Sequence, residues 1–209
     1  PPLFFFKQKT AYVISLGLVC SEMCIRDRFV NKAIQFNKHH NIFQRTSAEE
    51  VLKKDVEESL QINSHMSKQD TILDIGSGGG FPGVVIAISN PKTQTHLVES
   101  NQKKAYFLKQ IKHDLFLDNL IVHNQRIETH NSLGEFSLIT ARAFATIEKI
   151  LTLSENNLLQ SGKYVLFKGT KNKIEEELTS LNTNKFKYEI IEQDNKEKER
   201  HLVVIKKHE

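Results

Sequence analysis

The stretch Asp74-Ile75-Gly76-Ser77-Gly78-Gly79-Gly80-Phe81-Pro82-Gly83 overlaps the short apolar run Thr71 to Ile75 and leads into a second apolar segment, Pro82 to Ser89. A β-branched apolar run of this length, ended by glycines, reads as a buried strand. Pro near the start of the next segment suits a helix N-terminus, where its missing N–H costs nothing. Glycines between a strand and a helix let the backbone turn tightly and approach a ligand with no Cβ in the way. The helix start beyond them supplies free N–H groups and a positive dipole end. Strand, glycine loop and helix form the unit from which open parallel α/β sheets are built, with ligands at the carboxyl ends of the strands.

The pattern repeats downstream. Thr95 to Val98 reads as a second strand, and Asn101 caps a helix whose buried face is Ala105, Phe107, Leu108, Ile111 and Leu115. Leu120 to His123, Ser137 to Thr140 and Tyr164 to Phe167 are further strands, with helices over Ile147 to Leu159 and Lys171 to Leu181. Lys187 to Ile191 and His201 to Ile205 make a last strand pair, joined by the charged stretch Glu192 to Arg200. Alternation of this kind predicts a mostly parallel sheet with helices on both faces and an antiparallel hairpin at one edge. Upstream, Phe29 to His40 has helical apolar spacing. Ser47-Ala48-Glu49-Glu50 is a capping box for a second helix carrying Val51, Leu52, Val56 and Leu60. These helices form a short N-terminal cap, 29–66, on a main domain of 67–209.

Two cofactor frames compete for the loop. Gly78-x-Gly80-x-x-Gly83 matches the dinucleotide pattern, which normally begins directly at the strand end. Counted from there, a small residue is required at position 81, where the chain has Phe81. The frame Asp74-x-Gly76-x-Gly78-x-Gly80 fits without a gap. Its acid would repel a pyrophosphate but help hold the ammonium of a methionine moiety, directly or through water. Glu99, just past the second strand, is placed to accept hydrogen bonds from both ribose hydroxyls of a nucleoside. The loop therefore favours S-adenosylmethionine over a nicotinamide dinucleotide.

The chain has 209 residues and a formal net charge of +4, with 39% hydrophobic and 26% charged residues, the composition of an ordinary globular protein. Residues 1–28 read as a non-native leader. The strings FFFKQKTAY and SEMCIRDR resemble translated sequencing-adapter read-through, and the apolar stretch Ala11 to Cys20 is too short to span a bilayer. Without that segment, which holds Lys7, Lys9, Arg26 and Arg28 against Glu22 and Asp27, 181 residues remain at a net +2. It also holds both cysteines, Cys20 and Cys24, so thiol chemistry, disulfides and Cys metal sites lapse together. No metal site is expected. His39-His40, adjacent on a helix, point apart and read as a solvated pair.

Six stretches in order, TILDIGSGGGFPG (71–83), LVESNQKKAYFLKQ (97–110), NQRIE (124–128), TARAFA (140–145), LFKG (166–169) and RHLVVIKK (200–207), resemble the bacterial 16S ribosomal RNA guanine-N7 methyltransferases, the glucose-inhibited division protein B family. The similarity covers Phe29 to Lys207. It implies a class I, Rossmann-like S-adenosylmethionine-dependent methyltransferase. It further implies a small-ribosomal-subunit RNA partner, a cytoplasmic location, no membrane and a monomer. Matched by position, Gly76 and Phe81 would contact the cofactor, Ile127 and Glu128 would flank its adenine, and Arg142 would contact the cofactor and line the methyl-transfer site. Arg126, Lys168 and Arg200 match the family's RNA-facing basic residues, and Lys168 shares with Arg142 the rim of the reaction site. The chain departs from the family at Asn41-Ile42-Phe43-Gln44 and Asp55-Val56-Glu57-Glu58-Ser59, and has Glu99 where Asp is frequent.

The residue inventory restricts the chemistry separately. Exocyclic-amine methyltransferases use an (Asp/Asn/Ser)-Pro-Pro-aromatic loop, but the only prolines are Pro1, Pro2, Pro82 and Pro91. Pyrimidine C5 methylation needs a Cys nucleophile, absent after residue 28. Guanine N7 has a lone pair and no proton, so alignment and exclusion of water suffice and no general base is required. Arg142, between Ala141 and Ala143, reads as a cleft guanidinium able to bond guanine O6 or a phosphate. Lys103, Lys104, Lys109 and Lys112 read as a solvated face. A small-molecule methyltransferase and a non-catalytic RNA-binding module of the same fold stay open as alternatives, with the dinucleotide frame behind them.

Overall fold

The computed structural model describes residues 4–193 and 199–208, with side chains from Glu22 onward. Residues 1–3 of the expected leader and 194–198 of the charged stretch lie outside the described residues. In chain order the elements are α1 (Phe4–His40), α2 (Ala48–Val51), α3 (Glu57–Leu60), β1 (Thr71–Ile75), α4 (Gly83–Ser89), β2 (Gln94–Val98), α5 (Gln102–Asp114), β3 (Leu120–His123), β4 (Phe136–Arg142), α6 (Ile147–Ser154), β5 (Leu158–Lys168), α7 (Lys171–Leu178), β6 (Phe186–Glu192) and β7 (His201–Lys207).

The seven strands form one sheet in the order β3-β2-β1-β4-β5-β7-β6. β1 to β5 are mutually parallel, and β7 runs antiparallel between β5 and β6. β1 lies beside both β2 and β4, so chain order reverses there and opens a crevice at the strand ends. Alternate residues of β1 feed opposite faces. Leu73 and Ile75 pack with Ile139, Tyr164, Ile147 and Ile174 under α6 and α7. Ile72 packs with Leu138, Val165 and Ile86 on the other side, next to a cluster that joins α1, α4 and α5.

α7 ends at Leu178 rather than Leu181, and three other boundaries differ more from the sequence expectation. The helix over 29–40 begins far earlier, and α1 crosses the 28/29 boundary without a break. Ile25 packs against the α1–α4–α5 cluster and the Arg28 guanidinium donates to Asp114 O at 3.1 Å. At its far end Asn41, in a left-handed conformation, turns the chain away. α6 stops at Ser154, whose hydroxyl bonds back to Ile150 O, while Leu158 and Leu159 open β5. Leu158 is buried beside Phe136, its partner across the ladder, so pairing overrode helical periodicity. The second cap helix is divided: Ser47 caps α2 through Glu50 N–H as expected, then Leu52–Val56 widens into a π turn before α3. Such turns carry one extra residue and re-aim the side chains around them.

Candidate active site

The glycine loop is tied to the end of β2 by its backbone. Gly76 N–H and Ser77 N–H both donate to Val98 O, at 2.9 and 3.3 Å. The Glu99 carboxylate accepts from Gly78 N–H at 2.9 Å and from Asn101 N–H at 2.7 Å, while Asn124 holds its carbonyl. Gly76 and Gly78 have φ of 71° and 55°, a region that costs other L-residues energy. Together they line a cavity of about 600 Å³ with Glu99, Arg126, Ile127 and Glu128. That volume falls within the range of small-molecule sites. The donor set fits S-adenosylmethionine: a glycine loop, a carboxylate that could accept from ribose hydroxyls, and Ile127 as an apolar wall. Glu99 would exchange its loop N–H contact for ribose hydroxyls.

Four residues expected at the cofactor, Asp74, Gly80, Phe81 and Arg142, do not line this cavity. Asp74 is fully buried and lines neither cavity; one oxygen accepts from Gly83 N–H at 3.1 Å, capping α4, and the other has no partner. Burial pushes its carboxyl up to about 7, against the lowering pull of the Gly83 bond. Gly80 faces Val84 and Phe29, with no room for a Cβ, and stands away from the cavity. Phe81 is core: its ring lies 5.1 Å from Phe29 and 6.1 Å from Phe43. The competing dinucleotide frame needs Gly80 facing a ligand, and it faces packing instead.

A second cavity of about 500 Å³ lies on the other side of Ala143-Phe144-Ala145, the segment both cavities share as a wall. Arg142, Lys168 and Arg200 line it, as the sequence predicted; Arg126 does not and belongs to the first cavity. Arg142 is bound more tightly than an open cleft guanidinium. It donates to Asp55 at 2.7 Å and Glu58 at 3.0 Å, and its guanidinium carbon sits 5.4 Å from the Phe81 ring centre. Asp55 also takes Arg45 at 3.2 Å, and Glu58 takes Arg200 at 3.4 Å. The result is a ladder, Arg45–Asp55–Arg142–Glu58–Arg200, joining the cap, the end of β4 and the approach to β7.

The Lys168 ammonium is likewise committed, to Glu177 at 2.6 Å and to Ala145 O at 2.8 Å, so it braces the loop after β4. Sequence reasoning missed Asp55, Glu58, Arg45, Glu177 and Phe144. One signal was available for Asp55: it falls four residues after Val51 and next to Val56, on the buried face of its helix.

Strand order, the reversed β7 and a glycine loop followed by an acid at the next strand end define a class I S-adenosylmethionine-dependent methyltransferase. Solved structures share the fold. A putative O-methyltransferase from Klebsiella pneumoniae superposes with a TM-score of 0.61 at 12% identity, over 88% of this chain and 90% of that one. The ribosomal protein L11 methylase from Lactobacillus delbrueckii gives 0.58 at 16%, over 79% and 81%. The family model described as GidB, rRNA small subunit methyltransferase G, matches residues 25–203, and the chain belongs to that family. Ribosomal RNA small subunit methyltransferase G of Francisella tularensis is 37% identical over 173 residues, covering 83% of this chain and 82% of that protein. Its counterpart in Brachyspira hyodysenteriae is 35% identical over 180 residues, covering 85% and 87%. The protein is therefore an enzyme that uses S-adenosylmethionine as methyl donor. Among the described residues, no helix is long and apolar enough to cross a membrane.

Proposed function

We propose that the protein methylates N7 of a guanine in 16S ribosomal RNA of the small subunit, acting as a monomer in the cytoplasm. One observation carries this reading: a donor cavity and a cation-lined acceptor cavity lie back to back across Ala143–Ala145, and every carboxylate of the acceptor cavity is already bonded to a cation. Asp55, Glu58 and Glu177 are thus committed and poorly placed to act as a base, which N7 does not need. S-adenosylmethionine, when bound, supplies an electrophilic methyl group on a sulfonium. With that group held there, guanine N7 would take the methyl carbon in line, the carbon–sulfur electron pair would stay on sulfur, and the positive charge would pass to the base. No proton moves.

Gly76, Gly78, Glu99, Ile127 and Glu128 hold the donor, and Arg142 presents donors toward guanine O6 or a neighbouring phosphate. Arg200 and Arg126 flank the two cavity mouths, where local positive charge substitutes for the low net charge of the chain. The guanine must be unstacked, because N7 in an A-form helix faces a deep, narrow groove. The test uses labelled S-adenosylmethionine and small ribosomal subunits that lack N7-methylguanosine, followed by chemical strand scission at the modified base. Label in 16S RNA with scission at one guanine is expected. Intact donor binding without label in RNA would overturn the proposal.

A further inference from the structure

Phe144 is an exposed aromatic ring that belongs to none of the hydrophobic clusters of the core. It keeps 37% of its surface exposed, although it follows a buried strand, and it makes no ring pair with another aromatic among the described residues. It lines both cavities, and its ring lies so close over Gly76 that a Cβ there would collide with it. Its neighbours Ala143 and Ala145 are small, so Phe144 supplies the bulk of the partition between donor and acceptor.

The segment is also held in place from both ends. Arg142 before it is locked into the ion-pair ladder, and Ala145 after it gives its carbonyl to Lys168. Ala143 between them has φ of 51°, a left-handed conformation disfavoured for a residue with a Cβ. Backbone of this kind persists where the surroundings over-determine it, and it clusters at functional sites.

We infer that Phe144 is the stacking platform of the acceptor base: the guanine enters the Arg142 cavity and stacks on this ring, its N7 edge reaching past the rim of the ring toward the donor cavity. This rests on the function proposed above and adds the residue that seats the base. Aromatic faces hold unstacked bases in this way. The chemistry gives the ring a second role. Methylation at N7 turns a neutral base into a cation, and a cation is drawn to the negative face of an aromatic ring. The attraction therefore grows along the reaction, which is what accelerates a chemical step. Arg142 does not oppose it strongly, because Asp55 and Glu58 compensate its charge.

The test compares Phe144→Leu, Phe144→Tyr and Phe144→Ala in the full chain, with small ribosomal subunits as substrate and donor affinity measured by calorimetry. Phe144→Leu is expected to lower kcat by ~10-fold or more, within the range that one base–aromatic stack carries, with donor affinity unchanged. Phe144→Tyr, which keeps a stacking face, is expected to lose far less kcat than Phe144→Leu, and an equal loss in both overturns the inference. Leu preserves apolar bulk, so a partition that served only to fill space would leave Phe144→Leu active, and that result overturns the inference. An equal loss of donor affinity in Phe144→Leu also overturns it, because the ring would then be a wall of the donor cavity. If Phe144→Ala does not fold, the Leu and Tyr variants decide the question. Wild-type protein that labels no RNA would sink the proposed function; active wild type with an active Leu variant would sink the stacking role alone.

Discussion

Replacing Glu58 by Gln tests whether the ion-pair ladder holds the cap to the methyltransferase core. Glu58 is 8% exposed and bridges two guanidinium groups, Arg142 at 3.0 Å and Arg200 at 3.4 Å. Unit charges about 4 Å apart attract by about 4 kcal/mol at an effective dielectric constant of about 20. The amide keeps the shape and one acceptor oxygen, which returns about 1 kcal/mol. Arg142 retains Asp55 at 2.7 Å, so its charge is not left bare. The net loss is about 2–3 kcal/mol, below the cost of about 3–5 kcal/mol for stranding a buried charge altogether. For a chain of this length that lowers Tm by about 5–10 °C. Thermal unfolding followed by circular dichroism reads it, with Glu57→Gln as the control on an exposed neighbour, expected to stay within about 0.5 kcal/mol. Methyl transfer should fall as well, because Arg142 loses one of its two carboxylate anchors. Equal Tm shifts for Glu57→Gln and Glu58→Gln would show that the ladder is decorative and that apolar packing alone seats the cap.

Arg142→Ala should lower turnover at least about 100-fold with donor affinity intact, the order that loss of one preorganised donor to a reacting group costs. Lys103→Ala, on the exposed face of α5, should change little, and equal effects in a labelled-methyl assay would refute the placement of the acceptor cavity. Asp74→Asn should reshape the pH dependence of stability. The carboxyl rises from 3.8 unfolded to about 7 folded, so over that window the native state binds the extra proton and wild-type stability falls as pH rises. Between pH 5 and pH 8 unfolding free energies from urea titrations should move in favour of the Asn variant by about 2–3 kcal/mol, and parallel pH profiles would contradict the burial argument. Deleting residues 1–24 should leave donor affinity in calorimetry unchanged. Deleting 1–28 also removes the Ile25 packing and the Arg28–Asp114 bond, and should lower Tm further without touching donor affinity. A loss of donor binding in the shorter deletion would give that segment a role at the site.

Much of the scaffold was legible because its causes are local. β1, the glycine turn and α4 lie within twenty residues of one another, and each is specified by backbone demands that only certain residues meet. Asn101 capping α5 through Lys103 and Lys104 N–H is of the same kind. Gly76, Gly78, Glu99, Ile127 and Glu128 converged as expected because each sits at or just after a strand end, and a parallel sheet brings those ends to one edge. The boundary between α6 and β5 is not legible in the sequence, because Leu158 and Leu159 satisfy a helical face and a strand equally well until Phe136 pairs with Leu158.

The amino-acid sequence alone determined the class of sheet and the edge at which its glycine loop and strand ends gather. Only the tertiary structure decided which charged groups stay available. Arg142 meets Asp55 and Glu58 across 87 and 84 residues, through a contact set by how a π turn in the cap packs against the end of β4. The same packing turned Gly80 and Phe81 inward and left Phe144 standing between the two cavities. Local sequence specifies backbone conformation, because that is a property of a few adjacent residues. Side-chain partners across a domain depend on the rigid placement of whole elements, and no short stretch of chain encodes it.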